Sequence, residues 1–186
     1  MVSTTIPLVT TVRERCRVCF TCVRECPAKA IRITGGQAEV MQARCIGCGN
    51  CVRVCSQNAK QVYDSTPAVR ELLAGETPVV ACLAPSFPAE FTDVAPERLI
   101  GMLRALGFAA VHEVAFGADL VADRYRALLP AAGAGAAPDR RWIATACPAV
   151  VDYVESYAPR LTDALAPIVS PMMALARWLR RRRETD

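Results

Sequence analysis

The sequence lacks the features that would direct a protein out of the cell or into a membrane. Residues 1–10 show no basic start followed by an apolar run and a small-residue cleavage site. No uninterrupted apolar stretch reaches the roughly 18 residues needed to span a bilayer, because Pro, Arg, Asp or Glu breaks every candidate. The single histidine, His112, has no second histidine to pair with. Because neither a secretory signal nor a membrane span is visible, we expect a soluble, cytoplasmic protein.

Cysteine, in contrast, is abundant and unevenly distributed. Eight of the ten cysteines lie between Cys16 and Cys55, whereas Cys82 and Cys147 stand alone in apolar, alanine-rich sequence. In a reducing compartment such thiols favour metal binding over disulfides. The uneven distribution also indicates a domain boundary, and we predict a small domain over residues 10–65 and a larger one over residues 76–186.

The eight clustered cysteines form an internal duplication. From Cys16 the chain reads C-R-V-C-F-T-C-V-R-E-C-P, and from Cys45 it reads C-I-G-C-G-N-C-V-R-V-C-S. Each cysteine of the first quartet maps onto one of the second with a single constant offset, the one that carries Cys16 onto Cys45. The second quartet is followed by Ser56 where the first has proline, a change that removes no cysteine.

This spacing predicts two [4Fe-4S] clusters and one-electron transfer. Three cysteines at intervals of three wrap a tight loop around a cubane, and the distal cysteine of each quartet, on the following helix, binds the other cluster. The predicted ligand sets are Cys16, Cys19, Cys22 and Cys55 for one cluster, and Cys45, Cys48, Cys51 and Cys26 for the other. A pair of zinc sites is the alternative, but zinc ribbons use cysteine pairs rather than matched quartets.

The quartets resemble the bacterial two-cluster ferredoxins over about residues 10 to 65. The resemblance implies an α+β ferredoxin-like fold, with a hairpin formed by residues 30–33 and 38–41 between the two cluster loops. Gly47 and Gly49 suit a backbone that passes close to sulfur without side chains.

The second segment alternates strand-like and helix-like stretches. Strands are predicted at residues 78–83, 109–114 and 142–145, helices at residues 97–106, 117–129 and 148–157 and from Pro171, and a flexible linker at residues 131–135. Strand alternating with helix predicts an α/β domain with a parallel sheet, which would be incomplete after about three strands. Cys82 is expected to be a buried core residue of the first strand.

Residues 77–178 resemble the start of the catalytic domain of iron-only ([FeFe]) hydrogenases, through Thr145-Ala146-Cys147-Pro148 and Ser170-Pro171-Met172. The resemblance places Cys147 where the family has one ligand of the active-site cubane; the alternative is that Cys147 is a packing residue. Ala146 falls where catalytic members carry a proton-transferring cysteine, as in the sensory or regulatory branch. The family's later motifs do not follow before Asp186, so we expect a truncated domain that does not turn over hydrogen by itself.

Three functions remain open at this stage. The first is an electron-transfer or redox-sensing protein that exchanges electrons with a redox partner protein. The second is a subunit or fragment of a hydrogenase completed by another chain, and the third is an interaction protein that the clusters brace.

An open sheet edge predicts self-association or a partner subunit that covers it. Two clusters of about −2 charge each would bring the formal charge of +4 to roughly zero, so nucleic acid is not an expected partner despite the arginines of residues 177–183.

Overall fold

The computed structural model describes residues 7–128 and 141–183, so the predicted linker at residues 131–135 lies outside the described residues. The chain divides into two compact units. Unit 1 comprises Met1–Asp64 and Cys147–Leu165, and unit 2 comprises Ser65–Ala146 and Ala166–Asp186. The segment Cys147–Leu165 therefore packs with the N-terminal unit, although we had grouped it with the second domain on sequence grounds.

The secondary structure consists of short strands and helices in both units. The strands are β1 (Val9–Thr11), β2 (Ile31–Thr34), β3 (Gln37–Val40), β4 (Lys60–Val62), β5 (Val80–Leu83) and β6 (Ala110–Glu113). The α-helices are α1 (Thr21–Glu25), α2 (Asn50–Arg53), α3 (Thr66–Ala74), α4 (Phe87–Glu90), α5 (Pro96–Ala105), α6 (Val114–Leu128), α7 (Pro148–Tyr157) and α8 (Pro171–Arg183). None of these helices is both long and apolar enough to cross a bilayer, within the residues described.

Two antiparallel strand pairs frame unit 1. β2 and β3 form a hairpin in which Thr34 lies opposite Gln37 across the two-residue turn Gly35–Gly36, which confirms the predicted hairpin. β1 pairs with β4, with Val9 opposite Val62. Because β1 precedes the first cysteine quartet and β4 follows the second, this pairing joins the two ends of the duplicated sequence.

The core of unit 1 is built from small apolar side chains and cysteines. Its buried residues are Val9, Cys22, Cys26, Ala28, Ala30, Ile31, Ala38, Val40, Ile46 and Cys51. Ala149 and Tyr157 of α7 pack against this core, and the Tyr157 hydroxyl donates a hydrogen bond of 2.7 Å to the carbonyl oxygen of Arg44. Such a bond contributes about 1 kcal/mol at most at an exposed site. Helix α7 is therefore part of this unit's packing.

Unit 2 contains a two-stranded parallel sheet and a helical pair. β5 and β6 run parallel, with Val80 opposite Ala110 and Leu83 opposite Glu113, and α5 lies between them in the chain. Helices α6 and α8 pack closely enough to bury Leu175 almost completely. The protein thus has a mixed α/β architecture with small sheets, one of which is parallel.

The predicted strand at residues 142–145 is wrong, because the sheet of unit 2 has only β5 and β6 within the described residues. The polar groups of this segment find other partners. The Thr145 N–H donates to the Tyr125 hydroxyl at 3.1 Å, and the Ile143 carbonyl accepts from the Ala166 N–H at 2.9 Å. These bonds replace a strand ladder, as buried backbone groups require some partner.

Cys82 also differs from its predicted role. Its side chain is exposed, whereas Ala81 and Leu83 are half-buried on the opposite face of β5. Successive side chains of a strand point to opposite faces. The uniformly apolar sequence around Cys82 predicted a buried core residue, but this thiol is the exposed member of the strand.

The close approach of α6 to α8 generates a stability prediction. A Cβ atom added at Gly117 would lie 2.1 Å from the carbonyl oxygen of Pro171, which is backbone and cannot move aside. We expect Gly117→Ala to lower the free energy of unfolding of unit 2 by about 2 kcal/mol, as overpacking does. Thermal unfolding followed by circular dichroism checks this value.

Gly101 in α5 provides the matched control, because a Cβ atom there would meet nothing within 4 Å. Gly101→Ala should raise stability by up to about 1 kcal/mol through helix propensity. Equal unfolding temperatures for the two variants would show that the approach of α8 to Gly117 is not tight in solution.

Candidate iron-sulfur site

Four cysteines from both halves of the duplication line one cavity in unit 1, which we call cavity A. Its cysteines are Cys16, Cys19, Cys22 and Cys55. The first three come from the loop before α1 and from α1 itself, and Cys55 follows α2. The cavity contains about 360 Å³ of space between protein atoms, open solvent included.

The other four clustered cysteines line a second cavity of similar size, cavity B. Its cysteines are Cys26, Cys45, Cys48 and Cys51, and it contains about 330 Å³ of space. Cys26 follows α1 directly and so comes from the first half, whereas the other three come from the second. The structure therefore brings the eight thiols together in two groups of four, with the fourth cysteine just beyond each helix rather than on it; that each group binds a cluster stays a prediction.

The backbone around the two cavities repeats with the same offset as the cysteines. Short 3-10 turns precede the cysteine loops at Arg13–Arg15 and Gln42–Arg44. The Ala30 N–H points to Cys26 Sγ at 3.3 Å, and the Ala59 N–H points to Cys55 Sγ at 3.3 Å. A backbone N–H directed at sulfur stabilises negative charge on a thiolate, and this one contact is common to both distal cysteines.

The cysteine loops also share left-handed backbone positions. Val18 and Phe20 have φ values of 52° and 62°, and their counterparts Gly47 and Gly49 have values of 65° and 72°. The conformation costs a residue with a side chain roughly 1–2 kcal/mol, but glycine adopts it freely. The first loop thus holds the same shape as the second without glycine, which indicates that the shape itself is required around the cysteines.

The thiols differ in how readily they ionise. Burial raises the pKa of Cys22 and of Cys51, and the Lys60 ammonium offsets part of that rise for both. Burial also acts to raise the pKa of Cys55, but nearby backbone N–H groups outweigh it, so its pKa is lowered. The Thr21 hydroxyl, 3.5 Å from Cys19 Sγ, lowers the pKa of that exposed thiol. Thiolates are the metal-binding form of cysteine.

Lys60 is a residue of the site that sequence reasoning missed. It lines cavity A and is only 4 % exposed, the one buried charged residue among those described. The sequence did contain a signal, because the offset of the duplication aligns Lys60 with Ile31, an apolar residue of the first half. A charged residue in place of an apolar counterpart in a duplicated core marks a site to examine.

The two remaining cysteines lie apart from both cavities. Cys82 is exposed on β5 in unit 2, and Cys147 is exposed at the residue before α7 in unit 1. Cys147 is therefore not a buried packing residue. All ten cysteines are free thiols. Within residues 7–128 and 141–183, no three His, Cys, Asp or Glu side chains meet closely enough to hold a single metal ion.

Comparison with known proteins identifies the class of both parts of the chain. Residues 8–56 match the family model of the 4Fe-4S dicluster domain, and residues 77–186 match that of the C-terminal domain of the iron-only hydrogenase large subunit. The protein is thus an iron-sulfur protein related to hydrogenases. Since the second match spans more than half of the 186 residues, the chain belongs to this iron-only hydrogenase family.

Among solved structures, 26 chains match this one. One comes from a study entitled "[FeFe]-hydrogenase Oxygen Inactivation is Initiated by the Modification and Degradation of the H cluster 2Fe Subcluster". It is 26 % identical with a TM-score of 0.44, and the match covers 60 % of this chain but only 32 % of that one. The protein therefore spans about a third of that relative's length. No curated protein sequence matches the chain.

The left-handed positions generate a prediction about the second cysteine loop. We expect Gly47→Val to destabilise the iron-loaded protein by about 1–2 kcal/mol, because valine is strained at a φ of 65°. The added Cβ would also lie 2.9 Å from Leu8 Cδ1. Loss of the iron-sulfur absorbance during a thermal ramp measures the effect.

Val18→Gly is the matched control, since it places glycine at the equivalent position of the first loop. Its stability should stay within about 1 kcal/mol of the parent, because relief of strain offsets the greater freedom of the unfolded chain. A larger loss for Val18→Gly than for Gly47→Val would show that side-chain packing, not backbone conformation, decides the residue at these positions.

Proposed function

We propose that this protein carries two [4Fe-4S] clusters and transfers single electrons between a redox partner protein and its hydrogenase-related domain. The observation that carries the proposal is the presence of two cavities, each lined by four free cysteines. In each, three thiols come from one loop and the fourth from the other half of the duplication. This is the ligand pattern of ferredoxin-like two-cluster proteins.

The donor groups around both cavities fit such clusters. A [4Fe-4S] cluster held by four thiolates accepts and releases one electron at a time. The chain supplies four sulfurs at each cavity, a backbone N–H directed at each distal cysteine, and an apolar wall that includes Ala38 for cavity A and Ile46 for cavity B. Apolar walls lower the effective dielectric constant beside them and so strengthen the electrostatic effect of the N–H groups.

The closeness of the two cavities supports electron transfer over a purely structural role. Cys22 of cavity A and Cys51 of cavity B belong to one buried core, and the charge of Cys22 contributes to the pKa of Cys51. One cluster would be enough to brace this small unit, whereas two neighbouring clusters provide a path for an electron. A bracing role would predict two clusters with no reversible reduction.

A redox-sensing role is the form of this proposal that the resemblance favours. Ala146 stands where the resemblance places a proton-transferring cysteine, and an alanine methyl group cannot relay a proton. Free thiolates also require a reducing compartment such as the cytoplasm. The electron would then serve as a signal or reach a separate protein rather than reduce protons here.

Hydrogen chemistry completed by another chain is a second candidate, and the exposure of Cys147 favours it. Its thiol is accessible to ligands from outside the chain. In unit 2, Leu106 is 67 % exposed and Met172 is 57 % exposed, and coverage of these side chains by another protein or a second copy would agree with this candidate. About twelve irons per chain instead of about eight would favour this candidate.

Paired cysteine substitutions test which thiols share a cluster. Under the proposal, Cys16→Ala with Cys55→Ala removes two ligands of one cluster and leaves about four irons per chain. Cys16→Ala with Cys26→Ala removes one ligand from each cluster and leaves close to none. Iron and sulfide analysis of anaerobically purified protein measures both.

The two double variants control for each other, because each removes two thiols. Cys82→Ala removes an exposed thiol outside both cavities and should retain about eight irons. The opposite order, with more iron in the Cys16/Cys26 variant, would mean that each quartet binds its own cluster. About two zinc ions per chain in the unsubstituted protein, in place of iron and sulfide, would refute the iron-sulfur proposal.

A further inference from the structure

The duplicated halves of unit 1 differ at one buried position. Ile31 opens β2 and Lys60 opens β4, and the two are related by the offset that carries Cys16 onto Cys45. Both are buried, with 5 % and 4 % of their surface exposed. Ile31 lines cavity B and Lys60 lines cavity A. The same place in the fold therefore contributes an isoleucine to the wall of one cavity and a lysine to the wall of the other.

The Lys60 ammonium has a hydroxyl partner, and the position equivalent to that partner is apolar at cavity B. Its Nζ donates to Thr11 Oγ1 at 2.6 Å and to the carbonyl oxygen of Ala38 at 3.2 Å. The counterpart of Thr11 at the same offset is Val40, which lines cavity B. The apolar pair Ile31 and Val40 is thus replaced as a unit by the polar pair Lys60 and Thr11. Burial of an ammonium is costly without such acceptors.

One backbone contact of the distal cysteines is the same at both cavities, whereas the charged residues that line the cavities differ. The N–H to Sγ distances at Cys26 and Cys55 are both 3.3 Å. Cavity A is lined by two cationic residues, Lys60 and the exposed Arg17, whereas no lysine or arginine appears among the described residues that line cavity B. Solvent screens an exposed charge far more than a buried one.

We propose that Lys60 makes the cluster in cavity A easier to reduce than the cluster in cavity B. Reduction adds one negative charge to a cluster, and a buried positive charge beside it stabilises the reduced form. A single electron entering the protein therefore resides in cavity A, and the cluster in cavity B is the stronger reductant. The inference rests on the proposed two-cluster function and assigns a direction to it.

The ammonium acts on both cavities to different degrees. It offsets part of the rise that burial causes in the pKa of Cys51 in cavity B, as it does for Cys22 in cavity A. Lys60 lines only cavity A, however, and Coulomb interactions fall with distance. Lys60 should therefore affect mainly the difference between the reduction potentials of the two clusters. It should also raise both potentials together by a smaller amount.

Lys60→Ile tests the inference, because it gives cavity A the residue that cavity B already has. The full-length, iron-loaded protein is titrated anaerobically, and electron paramagnetic resonance follows each cluster. We expect the iron content to be unchanged and the equilibrium constant for the first reduction to fall about tenfold, a shift of about 59 mV for one electron. The lower reduction potential, which belongs to the cluster in cavity B, should move much less. The two potentials should therefore approach each other.

Lys29→Asn is the matched control. It also removes one lysine charge, at an exposed position, and introduces the residue found at the equivalent Asn58, where φ is 49° against 48° at Lys29. Its two potentials should remain close to those of the parent. An equal shift in this variant would mean that overall charge, not the buried ammonium, sets the potentials and would overturn the inference.

Variants that leave Lys60 in place keep the inference testable if Lys60→Ile does not fold. Cys16→Ala with Cys55→Ala should leave only the lower potential, and Cys26→Ala with Cys45→Ala only the higher one. The reverse assignment of the two potentials would overturn the inference about Lys60, but it would leave the two-cluster proposal in place. Fewer than about eight irons in the unsubstituted protein would instead refute the two-cluster proposal itself.

Discussion

The crossing of cysteines between the halves of the duplication is the constraint on which unit 1 depends. Cavity A takes Cys55 from the second half, and cavity B takes Cys26 from the first. The pairing of β1 with β4 also crosses between the halves, because it joins the start of one to the end of the other. Neither half alone contains four cysteines around one cavity or a complete core, so the two must assemble together.

Much of unit 1 could be predicted from sequence, because cysteine spacing is a local signal with few geometric solutions. The grouping of Cys16 with Cys19 and Cys22 follows from the short loops that separate these cysteines, whereas the assignment of Cys55 to the same group follows from the ferredoxin pattern in which the distal cysteine crosses to the other cluster. The hairpin of β2 and β3 follows in the same way from two strand-like segments around a tight turn. The hairpin and the cysteine triplets are local features, and only the crossing of Cys55 and Cys26 joins distant parts of the chain.

The features that could not be predicted depend on long-range packing. Residues 142–145 have an apolar, strand-like sequence, yet the Thr145 N–H bonds to the side chain of Tyr125. Helix α7 was correctly predicted from Pro148 to Tyr157, but no local pattern indicated that it would pack with unit 1. Lys60 looks like an exposed strand residue until its counterpart Ile31 shows that the position is buried.

The non-contiguous course of unit 1 has a consequence for synthesis on the ribosome. Both cysteine quartets emerge early, but Cys147–Leu165, which completes the unit, is made only after residues 65–146. At about 5–20 residues per second, the interval lasts several seconds. During that time the nascent chain presents eight reactive thiols and an apolar surface that α7 does not yet cover. Folding of the cysteine-containing part therefore begins on this incomplete surface, rather than on the finished unit, as the chain leaves the ribosome.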